Sequence, residues 1–330
     1  MPPKQPQIFV VEDTESARLD RWLKRQIPHL RQGLLEKLLR QGKIKLNDKK
    51  VKSSERIQSG DVVNVYIDLA SLQEKLETIT PVKKPTPELA LSSDEIAWLE
   101  SLVIWEDEDF LVLNKPSGLA VQGGSKTTKH IDGYLQALGK IKNKRYRLVH
   151  RLDRDTSGVF IIAKTLGVAT HLTELFKEGN VFKTYWAIVL RHPKPGIGKV
   201  KAPLIKEKAD KEKMVVDEKH GKKAITVYRT VRKLISKRKP ELTWLELNPE
   251  TGRTHQIRVH CQYMGCPIIG DGKYGGREAT EVSKNMHLHA RAISVTDCNG
   301  NKFTFTAPPP KHFEETLLSY NIDWSKNLHS

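Results

Sequence analysis

Leu148-Val149-His150-Arg151-Leu152-Asp153-Arg154-Asp155-Thr156-Ser157-Gly158-Val159-Phe160-Ile161-Ile162-Ala163-Lys164 is a polar loop that runs into an apolar strand. Phe160 to Ala163 is a short apolar run with β-branched residues and fits a buried strand. Asp155-Thr156-Ser157-Gly158 has the composition of a turn. A loop entering a buried strand has its backbone fixed by the sheet, which makes it a good mount for a reactive side chain. Asp153 and Asp155 lie among His150, Arg151 and Arg154. Carboxylates set among guanidinium groups suit work as nucleophile or base and make poor general acids. As composition alone, the loop also reads as a solvated charge cluster in a turn.

The 330 residues allow one large domain or two smaller ones. Lys and Arg number 56 against 39 Asp and Glu, a net charge of +17 that points to nucleic acid as partner, with an anionic membrane surface as the rival. No apolar run approaches the roughly 20 residues of a membrane span. Met1-Pro2-Pro3-Lys4-Gln5 does not start a secretory signal. Three cysteines, Cys261, Cys266 and Cys298, are too few for a disulfide scaffold and place the chain in a reducing cytoplasm. No long heptad pattern is present, so a monomer is expected.

Residues 1–70 read as a small basic module. Residues 8–13 open a strand, and Leu19, Leu23 and Ile27 recur at helical spacing from Ser16 onward. Arg18, Arg21, Lys24 and Arg25 lie mostly off that face. A second helix spans Arg31–Gln41, ending at Gly42. Lys43-Ile44-Lys45-Leu46 and Val62–Ile67 read as strands. Between Ser16 and Gly60 there are 13 Lys/Arg and 4 Asp/Glu, more than half of the net charge in a short piece. A compact basic module of this kind grips phosphate backbones, and Arg18, Arg21, Lys24, Arg25, Arg40, Lys43 and Lys45 are the candidate contacts.

Residues 71–102 read as a linker, because Thr80-Pro81-Val82-Lys83-Lys84-Pro85-Thr86-Pro87 favours an extended tether. Within it, Ser92 and Glu95 can form a capping box over a short helix to Leu102. Residues 103–330 form the larger domain. Phe110–Leu113 is a strand and Asn114–Gly118 a turn. From Gly118 to Lys126 the chain misses a phosphate loop, since Gly124 stands where the Lys before Ser125 is required; ATP and GTP binding are excluded. A helix covers Gly167–Glu178, and Phe182–Val189 is a strand on which Lys183 and Tyr185 share a face. Residues 191–240 are heavily basic and read as part of an RNA path. Leu242–Leu247 is a strand leading to Thr251-Gly252-Arg253-Thr254-His255-Gln256-Ile257-Arg258-Val259-His260. His255, His260, Cys261 and Cys266 lack zinc spacing, and alternation along a strand would separate several of them, so no metal site is expected. Asn299-Gly300 marks a hairpin.

The run His150-Arg151-Leu152-Asp153-Arg154-Asp155-Thr156-Ser157-Gly158 resembles the signature of the RluA/RluC-type pseudouridine synthases. Leu113-Asn114-Lys115-Pro116-Ser117-Gly118, Lys183-x-Tyr185, the Thr251–His260 run, Gly270–Gly275 and His287-Leu288-His289-Ala290 are similar to further motifs of that family, in its order. Residues 1–70 resemble the S4-like RNA-binding module. The resemblance spans about residues 12 to 320. It implies an α+β, mixed α/β architecture: an S4-like module plus a catalytic domain on a long mixed, mostly antiparallel sheet. It implies isomerisation of uridine in large-subunit (23S) ribosomal RNA, in free rRNA or pre-ribosomal particles, without a cofactor or metal. Asp153 would be the catalytic carboxylate, Tyr185 would stack on the target base, and Arg253 would pair with Asp153. Arg151 would fill the space the flipped base leaves, with Lys183 beside the RNA. Attack on C1′ and deprotonation at C2′ both stay open. Two other readings compete: a non-catalytic rRNA-binding assembly factor, and a glycoside-type hydrolase. A pair of carboxylates two residues apart on one loop does not give the hydrolase its opposed acid and base.

Overall fold

The computed structural model describes residues 6–12, 17–27, 30, 32–67, 91–123, 129–207, 209–210 and 213–327. The chain divides into two compact units, Met1–Pro87 and Glu88–Ser330.

In the smaller unit, β1 (Gln7–Val10), β2 (Ala17–Arg18), α1 (Leu19–Gln26), α2 (Gln32–Arg40), β3 (Ile44–Leu46), β4 (Arg56–Ile57) and β5 (Val62–Val65) follow in order. Three strands form an antiparallel sheet, β1-β5-β3, and β2 pairs with β4. This pairing delays the first helix to Leu19, three residues after the expected start. Leu19, Trp22 and Leu23 of α1 and Leu35, Leu38 and Leu39 of α2 close the core over Ile44, Val63 and Val65. Spacings of three and four put those residues on one stripe and leave Arg21, Lys24, Arg25, Arg40 and Lys43 exposed. Arg18 and Lys45 are engaged within the unit. Arg18 donates to both Asp20 carboxylate oxygens, at 3.1 and 2.7 Å. Lys45 holds its ammonium 5.1 Å from the centre of the Tyr66 ring.

The proline-rich stretch expected as a tether lies outside the described residues. The end of the expected 71–102 linker is not linker. There α3 (Ser93–Ser101) starts with the expected capping box, Ser92 Oγ accepting from Glu95 N and Glu95 Oε2 from Ser92 N. It packs on the larger unit: Leu99 is buried, Trp98 meets the edge of Tyr134, and Glu95 and Glu100 pair with Lys129 and Lys142. An apolar face at helical spacing demands a partner, which a free tether does not offer.

The larger unit continues with β6 (Val103–Glu106), β7 (Phe110–Lys115), α4 (Ile131–Ile141), β8 (Arg147–Leu148), β9 (Ser157–Ala163), α5 (Leu166–Glu178), β10 (Phe182–Leu190), β11 (Ile197–Lys201), β12 (Leu204–Lys206), β13 (Met214–Val216), β14 (Ile225–Leu234), β15 (Leu242–Pro249), α6 (Gln256–Tyr263), α7 (Gly276–Val282), β16 (Leu288–Thr296), β17 (Lys302–Thr306) and α8 (Lys311–Leu318). A ten-stranded sheet runs β11-β14-β15-β10-β16-β9-β7-β6, with β17 beside β16 and β8 beside β9. It is antiparallel except where β9 meets β16. The apolar run Phe160–Ala163 closes β9, and all seven residues of the strand are buried. Phe160 and Ile162 pack towards Ile131 and Leu135 of α4, while Val159 and Ile161 pack towards Val168 and Leu172 of α5. On β10, Ala187 and Val189 meet Ile257 and Cys261 of α6, and Trp186, Ile188 and Leu190 meet Phe313 and Leu317 of α8. The expected Asn299-Gly300 hairpin joins β16 and β17, with Gly300 at φ +87°.

One expected element changes type. Gln256–Tyr263 is a helix, not a strand. Ile257, Val259 and Cys261 alternate in sequence, yet Gln256 through Cys261 are all buried, so burial carries no period there. His260 is bonded at both ring nitrogens, to Thr226 Oγ1 and the Ala202 carbonyl.

Candidate active site

The loop 149–156 stands on β9 and is fixed from two sides. Gly158 sits at φ +112°, and a Cβ there would lie 2.2 Å from the Ala290 carbonyl oxygen. Only glycine permits β9 and β16 to approach this closely. Ser157 Oγ and His289 Nδ1 are 3.0 Å apart across the same pair of strands. From the other side Lys115, fully buried, donates to the carbonyls of Pro116, Leu119 and Arg154 at 2.9, 2.8 and 2.9 Å. An ammonium has three N–H groups for three acceptors, whereas a neutral amine has only two. Burial lowers the Lys115 pKa to about 7 against the raising effect of Asp155 and Asp153, and the three carbonyls favour the charged form. Ser117 Oγ donates to the Asp155 carbonyl, and Arg154 Nε to that of Gly118. The turn after β7 is thus a clamp on the Asp153 loop.

Asp153, Tyr185, Arg253, Arg151 and Lys183 all line one cavity of about 300 Å³. A second lobe of about 610 Å³ meets it at Arg151, Leu152, Asp153, His255 and Arg258, and adds Arg154, Lys213 and Lys273. Asp153 is where the two lobes join. Its side chain is 18% exposed, and two groups face one of its oxygens: Arg258 Nη1 at 3.6 Å and His255 Nε2 at 4.0 Å from Oδ2.

The partner of Asp153 is therefore Arg258, not Arg253. Arg258 is buried and forms a two-pronged pair with Asp271, Nε to Oδ2 and Nη2 to Oδ1 at 2.7 Å each. Arg253 lies in the same cavity but is exposed, and its Nε donates to the Lys223 carbonyl at 3.1 Å. The physical reason is the helix. With α6 starting after His255, residues 255 and 258 are three apart, and their side chains project together towards the loop. The turn before it is tied by Gln256, whose Oε1 accepts from Thr251 Oγ1 and Arg253 N while Nε2 donates to the Ile225 carbonyl.

Tyr185 stands at a register shift between β10 and β16, where Thr184 pairs with Ala292 and Tyr185 with Ala290. Such bulges redirect side chains beside functional sites. Asn248 Nδ2 covers the irregularity by donating to the Lys183 carbonyl and Thr184 Oγ1. Burial, and then the charge of Asp153, raise the phenol of Tyr185, which stays protonated. Burial lowers Lys183. His150 stacks on Phe176 at 4.8 Å and accepts the Ile161 N–H at Nε2. Desolvation pulls it to about 3, with Lys183 adding to the effect, so it is neutral.

Reasoning from sequence does not single out Lys115, His255, Arg258 and Asp271 as site residues. A lysine at the end of an apolar strand is one available signal, and the three-residue spacing of His255 and Arg258 another.

RNA pseudouridylate synthases as a family match residues 109–263, and the S4 domain matches residues 17–63. Over 317 residues the chain is 38% identical to ribosomal large subunit pseudouridine synthase C of Rickettsia felis, spanning 94% of this chain and 99% of that protein. The protein of the same name from Vibrio cholerae is 35% identical over 318 residues, 94% of this chain and 95% of its own. Human RNA pseudouridylate synthase domain containing 4, a solved structure, is 27% identical with a TM-score of 0.57, covering 69% of this chain and 95% of that one. Fold, motif order and near full-length likeness agree, and the chain belongs to the RNA pseudouridylate synthase family.

Proposed function

We propose that this chain isomerises uridine to pseudouridine in large-subunit ribosomal RNA, with Asp153 as the catalytic carboxylate. The observation that carries the reading is the position of Asp153 at the junction of a smaller lobe lined by Tyr185 and a larger lobe that adds Arg154, Lys213 and Lys273. The target uridine leaves its stack, at a cost of a few kcal/mol, and its base enters the smaller lobe against the Tyr185 ring. Arg151, exposed and lining both lobes, fills the vacated stack. The backbone on either side crosses the larger lobe past Arg154, Lys213 and Lys273. Asp153 then faces the sugar, where bonding to C1′ or removing the C2′ proton needs the same held carboxylate. The N1–C1′ bond breaks, the uracil turns in place, C5 bonds to C1′, and C5 loses its proton. Likeness to proteins named for the large ribosomal subunit selects the RNA. The exposed basic residues of the smaller unit provide a second grip on it. Free thiols at Cys261, Cys266 and Cys298 fit a cytoplasmic setting.

The test is carbodiimide mapping of pseudouridine in unmodified large- and small-subunit transcripts after incubation with wild type and Asp153→Asn. Stops on the large-subunit transcript with wild type only, at equal RNA binding, are expected. Binding without stops on free RNA or partly assembled particles would favour an assembly factor.

A further inference from the structure

His255 Nδ1 lies 2.7 Å from the hydroxyl oxygen of Tyr274, which accepts the Met214 N–H at 2.9 Å. The Tyr274 proton needs an acceptor in this buried place, and Nδ1 is at hydrogen-bond distance. Tyr274 therefore donates to Nδ1, which puts the imidazole proton on Nε2, the nitrogen that faces Asp153 Oδ2 at 4.0 Å. His255 holds a left-handed backbone, φ +53°, rare for a residue with a side chain. The turn that carries Tyr274 also holds Arg258, because Asp271 takes the Arg258 guanidinium and the N–H groups of Lys273 and Tyr274. The Arg258 guanidinium lies 5.0 Å from the centre of the Tyr274 ring. One turn thus sets both groups that face Oδ2.

We infer that His255 is a positioning residue for Asp153, held by Tyr274 as the Nε2–H tautomer so that His255 and Arg258 together secure Oδ2 and present Oδ1 to the nucleotide. The inference rests on the reading of Asp153 as the catalytic carboxylate. Contacts longer than a hydrogen bond in a free enzyme tighten when substrate fills the site. Five groups act on the ring besides its burial, which lowers its pKa: Asp153 and Asp271 raise it, Arg258 and Lys273 lower it, and Tyr274 bonds to it. The net effect is downward, which keeps the ring neutral. Protonation would put a second donor opposite the Tyr274 hydroxyl and fasten Asp153 in an imidazolium pair that blunts its reactivity.

The experiment is single-turnover pseudouridine formation on a ribosomal RNA fragment at pH 5.5–9, with RNA affinity and thermal melting measured alongside. Wild type, His255→Ala, His255→Gln and Tyr274→Phe are compared. His255→Ala is expected to slow the step on the order of 100-fold with little change in RNA affinity. His255→Gln restores an N–H donor and recovers most of the rate, with no acid limb from this position. In Tyr274→Phe the hydroxyl that opposes protonation is gone, and the acid limb moves up by about half a pH unit or more. The inference is overturned if Gln is no better than Ala, or if the pH profile of Tyr274→Phe matches wild type. A wild-type protein that forms no pseudouridine on any ribosomal transcript would overturn the functional reading itself, and this inference with it.

Discussion

Arg258 and Asp271 are a buried ion pair with both prongs made, and Arg258 also faces Asp153. Removing one partner of such a pair leaves the other charge buried and alone, at a cost of about 3–5 kcal/mol. Arg258→Ala is thus expected to lower the free energy of unfolding in urea by that amount, besides slowing turnover. Arg253 is exposed and held by one bond to a carbonyl, so Arg253→Ala should stay within about 0.5 kcal/mol of wild type. Its effect belongs to RNA affinity. If the two variants exchanged places in the urea titration, the assignment of Arg258 as the structural partner of Asp153 would be wrong. Arg258→Lys keeps the charge but not the fork, and should recover only part of the stability.

At the level of elements, the Asp153 loop is gripped between the turn after β7 and the β9–β16 pairing. Lys115→Met removes the three donors that hold the carbonyls of Pro116, Leu119 and Arg154. Each acceptor left unmet in the interior costs about 1–3 kcal/mol, so a loss of roughly 3 kcal/mol or more is expected. Turnover should fall further than RNA affinity, because the loop carries the carboxylate while the basic surface stays in place. Faster amide exchange confined to residues around 115–119 and 153–156 would show the loop loosening; a uniform loss of protection would instead mean that Lys115 supports the whole sheet. Gly158→Ala attacks the same loop from its other anchor, through the Ala290 carbonyl.

Across the whole molecule, acid sensitivity and salt sensitivity separate. His287 and His289 are buried, and both are pushed to about 4, His287 by burial and then His312, His289 by burial. Kept neutral when folded but free to protonate near 6.5 when unfolded, they contribute stability that is complete above 6.5 and drains away as pH falls towards 4. At pH 5 each costs about 2 kcal/mol relative to pH 7, which urea titrations at the two values would measure. The smaller unit is expected to carry a large part of the response to salt. Replacing Arg21, Lys24, Arg25, Arg40 and Lys43 by Gln should flatten the dependence of RNA affinity on salt, by about one unit of log–log slope for each phosphate no longer neutralised. Turnover of RNA already bound should be unchanged. An unaltered slope would show that these side chains do not meet the backbone. Among the described residues no helix is long and apolar enough to cross a membrane.

Local order determined what the sequence showed. The apolar run of β9, the Ser92–Glu95 capping box, the Asn299-Gly300 hairpin and the stripe of α1 are each written within a few neighbouring residues, at periods the backbone imposes. The motif around Asp153 and the Lys183-x-Tyr185 pair were legible for the same reason, and the charge of the smaller unit needs only counting. Tertiary structure decided the partners. Whether Arg253 or Arg258 reaches Asp153 depends on α6 being a helix, and its alternating Ile257, Val259 and Cys261 hide that in one dimension because both faces are buried. Whether Lys115 is a surface charge or the pin of the active loop depends on the Arg154 carbonyl, which joins those of Pro116 and Leu119 only once β7 lies beside β9. Periodicity records which way a side chain points along its own element; it does not record which distant element comes to meet it.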